Sequence, residues 1–116
     1  MSTISKMLTR TDIEKSLLIS GDSFGIFPVP FDGGHFFNMT AIDGTGKAWD
    51  FPCFFLQSEG IVSVGWLPFL GGKDVRAGDM VFLHREWMND GEDFTVKIEV
   101  KRKIRLLGQD IWAVLH

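Results

Sequence analysis

The chain has 116 residues, enough for one domain with a real core, and its 45% apolar and 13% aromatic content excludes a disordered polymer. A net charge of −3 argues against a surface built throughout for a polyanion, and no apolar run reaches the roughly 18 residues of a membrane span. A lone cysteine, Cys53, excludes an internal disulfide framework and, with no signal-like apolar run in MSTISKMLTR, fits a reducing compartment, cytoplasmic or nuclear.

In chain order, SKMLTR and SLLIS read as two short strands, with Thr11 or Asp12 starting the turn between them. SGDSFGIFPVPFDGG is rich in turn residues and reads as irregular. FFNMTAID and KAWDFPCFF flank Asp43-Gly44-Thr45-Gly46, the pattern of a hairpin, with Trp49, Phe51, Cys53 and Phe55 on one side. WLPFL, residues 66–70, is the one helix candidate: Pro68 is tolerated in a first turn and Gly71-Gly72 ends it. MVFLHRE follows Ala77-Gly78-Asp79 as a strand, and a polar loop spans 88–93.

FTVKIEVKRKIRL alternates with period two. Phe94, Val96, Ile98, Val100, Ile104 and Leu106 share one face, and Lys97, Glu99, Lys101, Lys103 and Arg105 lie on the other. Arg102 breaks the apolar row, which predicts either a bulge or the point where the strand leaves the core. Residues 97–105 hold five of the twelve basic residues and one acid, so the charge is +4 there and −7 elsewhere. That strip is either a solvated strand face or a local basic surface. The tail GQDIWAVLH is too apolar to be free; it predicts an extra strand, packing against the core, or a self-association surface.

Six or seven short strands with one or two helical turns predict a mainly β barrel or sandwich. Its 11 Phe and 4 Trp either fill the interior or line a cavity for an apolar ligand. No catalytic or metal constellation emerges. His35, His84 and His116 are scattered, and Cys53 lies on an aromatic strand face. The Asp-Gly pairs at 43–44 and 90–91 are turn chemistry, and DGTGKAW lacks the spacing of a phosphate loop. The chain is therefore expected to be no enzyme and to carry no cofactor or metal.

Three blocks, in order, resemble the plant B3 DNA-binding domain: KMLTRTDI at 6–13, GKAWDF at 46–51, and GWLPFLGGKDVRAGDMVF at 65–82. The resemblance covers about residues 4–105 of a single domain, 1–116, and leaves 106–116 as a C-terminal extension packed on the barrel. It implies a seven-stranded open pseudo-barrel with one or two short helices, with Trp49, Phe51, Trp66, Phe69, Val81 and Phe82 in its core. It further implies sequence-specific binding of double-stranded DNA in the major groove by two arms, as the DNA-binding domain of a nuclear plant transcription factor. By position the arms are residues 10–16 and 56–60.

The DNA contacts implied are Arg10, Thr11, Lys15 and Ser16 from the first arm and Gln57 and Ser58 from the second, with Lys6 as a phosphate anchor. The same arms carry Asp12, Glu14 and Glu59, which lower the positive charge facing a duplex. That leaves an alternative: a B3-fold protein-interaction module that has lost DNA binding.

Overall fold

Alternation of apolar and polar residues sets the architecture, because a strand with every second side chain apolar must turn that face onto something. The computed structural model describes residues 2–20, 36–56, 59–88 and 93–115. The elements are β1 (Ser2–Met7), α1 (Arg10–Glu14), β2 (Leu17–Ser20), β3 (Phe36–Ile42), β4 (Ala48–Leu56), β5 (Ile61–Val64), α2 (Leu67–Leu70), β6 (Met80–Met88), β7 (Asp93–Leu106) and β8 (Gln109–Leu115).

One sheet holds all the strands, in the path β1-β6-β7-β3-β4-β5-β2, with β8 added to β7. Neighbours are antiparallel except β3 and β7, which meet in parallel at Ala41↔Val96 and Ile42↔Lys97. The path curls so that its two end strands, β1 and β2, approach each other without pairing. This is a seven-stranded barrel left open along one seam, mainly β with two short helices.

The hairpin of β3 and β4 forms where the sequence places it. The Asp43 carboxylate accepts hydrogen bonds from the Thr45 hydroxyl, the Trp49 indole, and the Lys47 and Thr45 amides. Led by the Thr45 hydroxyl, those donors hold the carboxyl well below the usual range. The chain then crosses close to itself at Gly65, whose amide donates to the Pro52 carbonyl at 2.8 Å. A Cβ there would lie 3.0 Å from the Pro52 ring, so only glycine fits without a shift.

Phe51, Trp66 and Phe69 fill the interior, with ring centroids 5.9 Å (Phe51–Phe69) and 6.1 Å (Trp66–Phe69) apart. Leu17, Met39 and Leu83 close around them, each contributing about 1.5–3 kcal/mol by burial. Among the described residues, side chains occupy the centre.

Three local expectations change. Phe82 is half-buried on the outer face, because Val81 and Leu83 on either side of it are buried and successive strand residues point to opposite faces. Trp49 is half-buried against the core, since its indole N–H must reach Asp43. The first turn is a helix, α1.

Arg102 marks the strand's emergence from the core rather than a bulge. The β6–β7 register runs without a slip to Met80↔Lys101, and beyond it β7 continues with β8 alone to Leu106↔Gln109. At that junction the Arg102 guanidinium grips Asp79 through two bonds of 3.0 Å and also donates to the Asp74 carbonyl.

Candidate nucleic-acid interface

The first arm begins where β1 ends. Leu8 exchanges backbone hydrogen bonds with the Gly78-Asp79 corner, its amide donating to the Asp79 carbonyl at 2.7 Å and its carbonyl accepting from Gly78 at 2.8 Å. Thr9 then caps α1 in a capping box, its side chain accepting from the Asp12 amide while the Asp12 carboxylate accepts from the Thr9 amide. A five-residue helix is too short to persist alone, so tertiary contacts must hold it.

Asp12 is the hub of those contacts. Its side chain is fully buried and accepts from the Thr9 amide and hydroxyl, the Leu18 amide, and the Lys6 ammonium at 2.9 Å. Burial disfavours its charge, yet these four donors outweigh burial and hold the carboxyl below the ordinary aspartate range. The Lys6 ammonium also donates to the Leu18 carbonyl, so one lysine joins β1 to the arm and to β2. From the other side the Trp66 indole donates to the Asp12 backbone carbonyl at 2.7 Å. At the end of the arm the Ser63 and Ser16 hydroxyls meet at 2.8 Å.

The outward side of the arm differs. Arg10, Thr11, Glu14 and Lys15 are exposed, and Arg10 forms an ion pair with Glu14 at 2.8 Å. Lys15 has no acidic partner among the described residues. Asp12, an acid on the arm by sequence, contributes no exposed charge because Lys6 neutralises it internally. The outward charges of the arm are thus an Arg–Glu pair and one free cation.

The second arm connects β4 to β5. Glu59 donates its amide to the Leu56 carbonyl at 3.1 Å, Gly60 adopts the left-handed conformation, and both are exposed. Gln57 and Ser58 lie outside the described residues. Because β2 and β5 pair from Leu17↔Val64 to Ser20↔Ile61, the two arms sit at opposite ends of this strand pair. The four residues of β2 set a separation on the order of 10 Å. Between the arms lies an open groove of about 490 Å³, lined by Lys6, Thr9 and Thr11 on one side, β2 along the floor, and Glu59, Gly60 and Ile61 on the other.

Of the residues singled out from sequence, Arg10, Thr11 and Lys15 therefore point outward, and Ser16 is half-buried against Ser63. Lys6 is turned inward, its side chain 29% exposed. Thr9, Asp12 and Trp66 carry the geometry of the arm without having been singled out for it. The signal for the first two was present, since Thr9-Arg10-Thr11-Asp12 has the spacing of a capping box. Among the described residues no three His, Cys, Asp or Glu side chains are grouped to hold a metal, and no helix is long and apolar enough to cross a membrane.

No family model and no curated protein matches this sequence. Solved structures do match. The chain is similar to the protein of the Arabidopsis FUS3–DNA complex, with a TM-score of 0.64 at 12% identity over 82% of this chain and 93% of that one. It is also similar to a hypothetical Arabidopsis thaliana protein, with a TM-score of 0.57 at 19% identity over 84% of this chain and 87% of that one. The open barrel and its two short helices give this chain the fold of a B3-type domain.

Proposed function

We propose that this domain binds double-stranded DNA, sequence-specifically and in the major groove, as the DNA-binding domain of a transcription factor acting in the nucleus. The observation that carries this reading is the construction of the first arm. A short exposed segment is fastened from behind by Lys6, Asp12 and Trp66, while Arg10, Thr11 and Lys15 are exposed toward a partner. A loop ordered before binding loses less entropy on contact. The shared fold with a chain solved on DNA supports the same reading.

Arg10 and Thr11 would read base edges, and Lys15 would sit on a phosphate, with Ser16 beside it. Gln57 and Ser58 would supply the second arm. Lys6 contributes chiefly by holding the arm that carries the others. Each phosphate neutralised adds about one unit to the log–log slope of affinity against salt.

Selection from a randomised duplex pool at low and high salt tests the proposal. Enrichment of one sequence, lost on Arg10→Ala and Lys15→Ala, is expected. No enrichment together with no binding at low salt would overturn it. Duplex affinity unmoved by both substitutions would favour the interaction-module alternative, to which Glu59 on the groove and the Arg10–Glu14 pair lend weight.

A further inference from the structure

The hairpin of β7 and β8 runs past the end of β6. Among the described residues β8 pairs with β7 alone, so its outer edge presents an unpaired row of backbone groups. Exposed edges are usually blunted by Lys, Pro or a bulge. Here β8 reads Gln-Asp-Ile-Trp-Ala-Val-Leu, its one charge, Asp110, is paired with Lys103 at 3.3 Å, 111–115 carry none, and the pairing with β7 is unbroken.

The two faces of the hairpin differ in chemistry. On the outer face Lys101, Lys103 and Arg105 stand opposite Val114, Trp112 and Asp110. Trp112 meets Phe82 edge-on at 6.2 Å, and the Lys101 ammonium lies 5.0 Å from the centre of that ring. On the other face Ile104 and Ile111 are cross-strand partners, yet 43% and 44% exposed.

Residues 101–115 carry four cations, of which Arg102 is paired with Asp79 and Lys103 with Asp110, leaving the charges of Lys101 and Arg105, +2, uncompensated. Lys101 and Arg105 have no carboxylate partner among the described residues. A second copy paired at this edge would set these two cations against the same two of its partner, a repulsive arrangement. An acidic strand has the complementary charge.

We propose that the outer edge of β8, unpaired among the described residues, receives an extended acidic segment of another protein, with aliphatic residues alternating with Asp or Glu, as the next strand of the sheet. Its carboxylates fall on the face of Lys101 and Arg105, and its aliphatic side chains continue the exposed Ile104–Ile111 row. The period of two in a strand delivers both sets to the correct faces at once. This surface does not depend on DNA binding by the arms.

The test is a titration of the isotope-labelled domain with a synthetic peptide of about eight alternating Val and Asp residues, enough to span β8, and with its Val-Lys counterpart. The acidic peptide is expected to shift the amides of 109–115 and leave those of 10–16 in place. Lys101→Glu with Arg105→Glu should weaken binding at least about tenfold while the amide spectrum of the barrel stays intact. No shift at β8 up to about 1 mM acidic peptide overturns the proposal. So does equal binding of the Val-Lys peptide, self-association through β8 that excludes the acidic peptide, or duplex DNA perturbing 109–115 where the peptide does not.

Discussion

The Trp66 indole N–H donates to the Asp12 backbone carbonyl at 2.7 Å, joining residues 54 positions apart in the chain. The Gly-Trp block therefore does more than close the barrel, since its tryptophan holds the arm that precedes it by four strands. Trp66→Phe would keep an aromatic ring in the core and strand a buried carbonyl, a loss of about 1–3 kcal/mol. Denaturant melts should show that loss, and amides of residues 10–16 should exchange faster than those of β6 and β7. Unchanged exchange in the arm would show that packing, not the hydrogen bond, is what holds it.

Asp12 and Asp79 share a response to acid. Burial opposes ionisation of both, but donors outweigh it, the Thr9 amide and Lys6 at the first and Arg102 and Arg76 at the second, so both carboxyls lie below their unfolded values. Below roughly pH 4 the unfolded chain takes up protons that the folded chain refuses. Their contribution is complete at neutral pH and disappears as pH falls through the folded values. Asp12→Asn should remove part of this slope and, at pH 7, about 2 kcal/mol, because Lys6 loses its buried partner but keeps some solvent. Melts from pH 7 down to pH 3 would show the two curves converging.

Glu14 restrains Arg10 on the arm's exposed side. If the arm meets a duplex, Glu14→Gln frees the guanidinium and removes a charge repelled by phosphate. Affinity should rise roughly two- to fivefold at low salt, an amount in keeping with an exposed pair. Fluorescence anisotropy against a fixed duplex measures it, and a fall in affinity would mean that Glu14 presents Arg10 correctly.

At the tip of the β7–β8 hairpin Leu107 has φ 52° and is 96% exposed, with Gly108 at φ 79° beside it. Two-residue turns of this kind favour Asn-Gly, because leucine is strained in the left-handed region. Leu107→Asn should stabilise the hairpin by about 1 kcal/mol. Slower exchange of the β8 amides is the readout.

Cys53 is buried on β4, and burial pushes its thiol up to about 12. Thiol reagents at pH 8 should label it only through opening of the barrel, so the labelling rate reports that opening. Labelling as fast as that of a free thiol would contradict the closed core.

Much of this fold can be read from local pattern. Val96, Ile98 and Val100 alternate into the core as period two requires, and the Asp43 hairpin and the Pro68 helix fall where their turn residues put them. Trp66, Phe69, Phe51 and Val81 are buried as expected. Phe82 misleads because hydrophobicity alone does not say which side of a strand it occupies; its neighbours do.

The candidate site was less legible. Arg10 and Lys15 are visible as charges on an arm, but which acids face outward depends on contacts across the chain. Asp12 is hidden by Lys6, whereas Glu14 is not. The parallel meeting of β3 with β7, which sets the order of the sheet, has no local signal at all.

β1 and β2 close the barrel without a ladder between them, and the Lys6 side chain spans that seam from Asp12 to the Leu18 carbonyl. Fastening and display are thus assigned to different positions of one short arm. Arg10, Thr11, Glu14 and Lys15 hold nothing shut, so evolution or an engineer can rewrite those four letters while the clasp beneath them stays the same.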